Sequence, residues 1–190
     1  MTTGDFLKRL CEGYIRSFRT LNLHSGTATW PDHTQRELAF FARIGEALGY
    51  TARLDKDRMD LSWWDPDSGS LELYLERERL SDKAGRDTVS KLLDSDESHR
   101  ARYLVGIFGW LTEPGLATVR RAIGDRRDDR PFVLIGWVGR DENSIVRIQS
   151  FVYSESTVFT RAASAETDAD GYWFARFSDE WRVDDGISGC

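Results

Sequence analysis

Residues 58–79 read RMDLSWWDPDSGSLELYLERER, and the way this stretch is divided decides the fold. Its centre, Asp65-Pro66-Asp67-Ser68-Gly69-Ser70, is a dense turn signal. Apolar and polar residues alternate on either side, the pattern of strands with one buried face, so the whole reads as a β-hairpin. On the second strand Leu71, Leu73 and Leu75 form the apolar face, with Glu72, Tyr74, Glu76 and Glu78 opposite. On the first strand Met59, Leu61 and Trp63 are apolar, with Arg58, Asp60, Ser62 and Trp64 opposite. Matching the two faces requires an even register sum. Setting Trp64 opposite Glu72 sets Ser62 opposite Tyr74, Asp60 opposite Glu76 and Arg58 opposite Glu78. The last pair is favourable. The Asp60–Glu76 pair places two carboxylates about 5 Å apart, a cost of roughly 0.2–1 kcal/mol unless something bridges them. A hard divalent cation would do so, since Mg²⁺ or Mn²⁺ is commonly held by one or two carboxylates. Glu78, two residues on, is placed to be a further ligand or a general base. The plain alternative is a solvated outer face of an antiparallel sheet, where Glu and Arg are ordinary.

Working outward, Phe6, Leu7, Leu10, Cys11, Tyr14, Ile15 and Phe18 recur at helical spacing, with Asp5 able to cap. Residues 22–33 read as a loop, and a second helix is expected over about 34–48, carrying Leu38, Phe41, Ile44 and Leu48 and ending at Gly49. A strand at 50–55 precedes the hairpin. After it come a helix at 87–96, a buried strand at 102–110 (RYLVGIFGW), a helix at 115–124, a second buried strand at 131–138 (PFVLIGWV) and a strand at 144–153. The end, 171–183, is aromatic and extended or mixed. The order α-α-β-β-β-α-β-α-β-β gives an α/β fold, a mixed β-sheet with flanking helices in a single domain over 1–190.

A helix containing Glu37, three strands with Asp60 on the second and Glu76-Arg77-Glu78 on the third, then a helix and a buried strand, together resemble the core of the PD-(D/E)XK superfamily, the restriction-endonuclease-like nucleases. The resemblance covers about 34–110, an α-β-β-β-α-β core, with 111–190 as an α-β-β extension. It implies a divalent-metal phosphodiesterase acting on nucleic acid: Asp60 and Glu76 as ligands of a Mg²⁺ or Mn²⁺ ion, Glu37 as the acidic residue of the preceding helix, and the third-strand terminal position, Glu78 here, as the water-activating residue; with its place on the same face, Glu78 is expected at the metal as well. Asp60 follows Met59 where many members have proline. Glu78 stands where most have lysine, and Lys91 on the next helix is the candidate substitute, ahead of Lys83. Glu37 has a second reading, because Thr34-Gln35-Arg36-Glu37 fits a capping box.

Composition bounds the rest. The chain has 190 residues, 40% hydrophobic and 12% aromatic, which excludes a disordered or collagenous chain. No apolar run has the length of a membrane span, and MTTGDFLKRL lacks the apolar stretch of a signal peptide, so a cytoplasmic protein with no membrane role is expected. Cys11 and Cys190 make no metal-spaced pair, and His24, His33 and His99 lie in unrelated segments. No glycine-rich phosphate loop occurs. The net charge of −6 weighs against non-specific coating of nucleic acid. That charge comes wholly from 141–190, however, and residues 1–140 are neutral. Arg120, Arg121, Arg126, Arg127 and Arg130 form a cluster that could contact phosphate, and Trp64, sharing a face with Asp60, could stack on a base. The rival function is a non-catalytic protein-binding domain, an immunity or regulatory protein that meets a basic partner through the acidic, aromatic C-terminal region.

Overall fold

A computed structural model describes residues 1–22, 29–56, 59–78, 82–95, 100–127, 129–140 and 145–184. The expected Arg58–Glu78 pair, His24, His99 and Cys190 fall outside the described residues. Helix α1 (Thr3–Arg16) is capped reciprocally by Thr2 and Asp5 and buries Leu7, Leu10, Cys11, Tyr14 and Ile15. Helix α2 (Trp30–Ala47) starts four residues earlier than expected. Pro31, whose missing N–H costs nothing in a first turn, marks that start, and the N–H and hydroxyl of Thr29 both donate to Asp32. The capping-box reading of Thr34 and Glu37 is therefore overturned: Glu37 lies inside the helix, fully buried.

The strands are β1 (Thr51–Lys56), β2 (Met59–Trp64), β3 (Leu71–Glu78), β4 (Tyr103–Leu111), β5 (Phe132–Arg140), β6 (Val146–Ser154), β7 (Thr157–Thr167), β8 (Trp173–Phe177) and β9 (Arg182–Val183). Helix α3 (Asp82–Asp94) joins β3 to β4, and α4 (Glu113–Arg126) joins β4 to β5. One mixed sheet runs β1-β2-β3-β4-β5-β6-β7-β8, with β9 beside β7. Only β3–β4 and β4–β5 are parallel, as their helical crossovers require. Strand β7 was not expected from sequence, and it replaces the α-β-β extension with one of α-β-β-β-β-β. The centre of its segment TVFTRAASAET is Ala162-Ala163-Ser164-Ala165, small on both faces, so its alternation is too shallow to read as a strand.

The hairpin register is partly as expected. Ser62 faces Tyr74 and Leu61 faces Leu75, but Trp64 pairs with Leu71, not Glu72. Glu72 is an extra residue in β3, a bulge, and one extra residue moves Leu71 to the other face of the sheet. Leu71 accordingly packs beside Tyr74 and Leu104 rather than beside Leu73 and Leu75. Met59 likewise departs from the face of Leu61 and Trp63.

Two apolar layers sandwich the sheet. Helices α1 and α2 cover Leu61, Trp63, Leu73, Leu75, Val105, Ile135 and Trp137. Helices α3 and α4 cover Tyr74, Leu104, Phe108 and Leu134 on the opposite face. Helix α2 lies close to the sheet because Gly45 has no side chain: a Cβ there would stand 2.6 Å from the Trp63 indole. Tyr50 stacks on that indole from another side, with ring centroids 5.9 Å apart. None of the helices among the described residues is long and apolar enough to cross a membrane.

Candidate functional site

The two faces of β3 carry different chemistry. Leu73, Leu75 and Arg77 point towards α1 and α2, while Tyr74, Glu76 and Glu78 point towards α3. On α3, Val89, Leu92 and Leu93 are buried, and Thr88 and Lys91, three residues apart, share a side. They meet the end of β3 in pairs: Lys91 Nζ lies 2.7 Å from Glu76 Oε2, and the Thr88 hydroxyl donates to Glu78 Oε2 at 3.1 Å.

Asp60 completes the group from β2. Beyond the Leu61–Leu75 pair, side chains take over from the backbone ladder: the Arg77 N–H donates to Asp60 Oδ2 at 2.7 Å, and the Asp60 N–H donates to Glu76 Oε1 at 3.3 Å. Asp60 and Glu76 are thus brought together where the two strands part. Among the described residues no group of three or more His, Cys, Asp or Glu is gathered as a metal-binding cluster. The assembled set is two carboxylates and one ammonium, with Glu78 drawn aside to Thr88.

Burial, reinforced by the Asp60 charge and opposed by Lys91, pushes Glu76 up to about 7. Burial also raises Asp60, against the opposing Arg77 N–H and Lys91. Like charges this close make one proton favourable near neutrality. Since folded Glu76 binds a proton more tightly than the unfolded chain does, its ionisation works against folding. Stability should fall as pH rises from about 4.5 to 7 and level off above, by about 3 kcal/mol at most from this group. Urea unfolding between pH 5 and 8 checks this: Glu76→Gln should remove the slope, and an equal slope in both proteins would refute it.

Glu37 is not beside these carboxylates. It sits on the α1/α2 face of the sheet with a fully buried side chain. One oxygen accepts from the Tyr14 hydroxyl and the other from Arg77 Nε at 2.6 Å. The Trp137 Nε1–H in turn donates to the Tyr14 oxygen at 3.3 Å. Sequence reasoning passed over Arg77, Tyr14 and Trp137 as a group. A signal was present: Arg77 continues the Leu73–Leu75 face, and Glu37 lies four residues before Phe41 on the apolar stripe of its helix. Two charges on buried faces require each other.

The arginine cluster is largely engaged within the fold. Arg120 pairs with Asp184 and lies over the Phe151 ring at 4.2 Å. Arg127 is buried, donating to the carbonyls of Arg130 at 3.2 Å and of Glu155. Arg130 donates to the Leu93 carbonyl at 2.7 Å, tying the end of α4 to the end of α3. Arg121 is exposed, and the Arg126 side chain lies outside what is described. Trp64 is half-buried, its Nε1–H donating to the Ser62 hydroxyl at 2.9 Å with Arg53 stacked on the ring.

The aromatic end is also drawn into the fold. Trp173 is buried, Trp181 donates to Glu12 at 2.8 Å, and Phe177 lies under Arg161 at 3.7 Å. A cleft of about 780 Å³, lined by Trp110, Arg147 and Ser164 among others, includes none of Asp60, Glu76, Glu78 or Lys91. No family model matches the chain, and no curated protein matches it.

Proposed function

We propose that the chain is a metal-dependent phosphodiesterase of the restriction-endonuclease-like kind, acting on nucleic acid. The observation that carries this reading is the convergence of Asp60, Glu76 and Lys91 where β2 and β3 part. Adjacent half-buried and buried carboxylates, both with raised proton affinity, repel each other; Lys91 and a shared proton offset this in part, and a divalent cation between them would offset it further. The donor chemistry fits Mg²⁺ or Mn²⁺, which take oxygen ligands and need only one or two from protein when substrate phosphate and water supply the rest. Asp60 and Glu76 would hold the ion; when bound, it supplies Lewis acidity to the phosphate and acidity to a coordinated water. Lys91 stands where its ammonium can contact a phosphate oxygen or stabilise a hydroxide, the part that a lysine at position 78 plays in most proteins this sequence resembles. Glu78, which accepts from the Thr88 hydroxyl, lies two residues further along β3 and would be the candidate proton acceptor.

Thermal unfolding with increasing Mn²⁺ tests the site itself. Binding to the folded chain alone should raise stability by about 2.7 kcal/mol at a hundredfold excess over Kd. Asp60→Ala should show no such rise. An unchanged midpoint for the wild type at millimolar Mn²⁺ would remove the metal site.

A further inference from the structure

We infer that Glu37 and Arg77 form a positioning pair, which sets where Asp60 stands by gripping the backbone of β3 from the opposite face of the sheet. The inference rests on the metal-site reading above and adds residues that lie outside the site.

Arg77 is the junction. Its backbone N–H holds Asp60 Oδ2 at 2.7 Å, its Nε holds Glu37 at 2.6 Å, and its Nη1 donates to the Glu78 carbonyl at 2.7 Å. One residue therefore ties a carboxylate on one side of the sheet, a helix on the other, and the strand that carries Glu76 and Glu78. This matters because the β2–β3 ladder runs only from Trp64–Leu71 to Leu61–Leu75. Past that point the two strands are joined by the Asp60 side chain on the Arg77 N–H and by the Asp60 N–H on Glu76, and the direction of the Asp60 carboxylate depends on where the Arg77 N–H sits.

Both Glu37 oxygens are taken, by Tyr14 and Arg77, and its side chain and that of Arg77 are wholly buried. The network reaches α1 through Tyr14 and β5 through Trp137. Four elements, α1, α2, β3 and β5, thus fix one peptide N–H. Groups that orient first ligands in this way commonly alter metal affinity 10–100-fold when changed. Arg77→Lys keeps the charge but loses the fork, so a single ammonium cannot hold both Glu37 and the Glu78 carbonyl in the same geometry. Tyr14→Phe is milder, removing one bond to Glu37 and leaving the ion pair.

The test measures Mn²⁺ dissociation constants on the full chain by the electron-spin signal of free Mn²⁺, well below each variant's unfolding midpoint. Arg77→Lys should weaken binding about 10–100-fold, and Tyr14→Phe by a smaller factor in the same direction. A folded Arg77→Lys that lowers the midpoint but binds Mn²⁺ as the wild type does would show a purely structural pair and overturn the inference. Failure of the wild type to bind Mn²⁺ would instead sink the metal-site reading, and this inference with it.

Discussion

Replacing Glu37 by alanine should lower the unfolding free energy by about 3–5 kcal/mol, the range for breaking a buried ion pair from one side. The size follows from what is left behind. Arg77 would keep its charge with its side chain wholly buried, and the Tyr14 hydroxyl would lose its acceptor. Replacing both charges tests the cause. Glu37→Leu with Arg77→Met removes the stranded guanidinium, and buried ion pairs replaced by apolar groups are often neutral or stabilising. The double variant should therefore recover most of the loss in urea unfolding. If Glu37→Ala costs under about 1 kcal/mol, water reaches the guanidinium and the pair is not sealed in the core.

If the proposed nuclease function holds, Glu76→Ala should reduce Mn²⁺-dependent cleavage of nucleic acid by about 10³-fold or more, since it would remove a proposed ligand, the partner of Lys91 and the acceptor of the Asp60 N–H together. Lys91→Met should be distinguishable from it. The lysine is not among the proposed ligands, so Mn²⁺ binding should persist or tighten once the competing ammonium is gone. Cleavage should nonetheless fall about 10²-fold, the usual loss for one charge-stabilising group. Single- and double-stranded DNA and RNA serve as substrates, with Mn²⁺ affinity measured alongside. Cleavage by Glu76→Ala at the wild-type rate would place the activity elsewhere, and loss of Mn²⁺ binding in Lys91→Met would mean that the lysine shapes the site rather than acting in it.

The folded chain explains why some of this was readable and some was not. Alternation is local, so the two strands of the hairpin and the shared face of Leu61, Trp63, Leu73 and Leu75 follow from residues 58–79 alone, while Met59 and Leu71 depart from it. The facing of Ser62 and Tyr74 follows from the same parity. Glu72 broke that parity because a bulge is one residue wide and leaves no compositional mark. Strands β4 and β5 were legible as apolar runs because both their faces are covered. Strand β7 was not, because small residues serve it where other strands use large ones. The early start of α2 is marked by Pro31, which suits a first helical turn, although 22–33 as a whole reads as a loop.

By itself the sequence determined that Asp60 and Glu76 share a sheet face and that Lys91 follows on the next helix, because period-two and period-3.6 patterns are properties of each segment. Which charge meets which was decided only by the tertiary structure. Glu37 is 40 residues from Arg77, and whether it met metal, solvent or arginine depended on the face of the sheet against which α2 docked. The apolar stripe of α2 and the fully buried Gly45–Trp63 contact set that face. Once it was set, the low polarity of the core required each buried charge to find the other, so the acid expected at a metal is paired with Arg77 on the opposite face of the sheet.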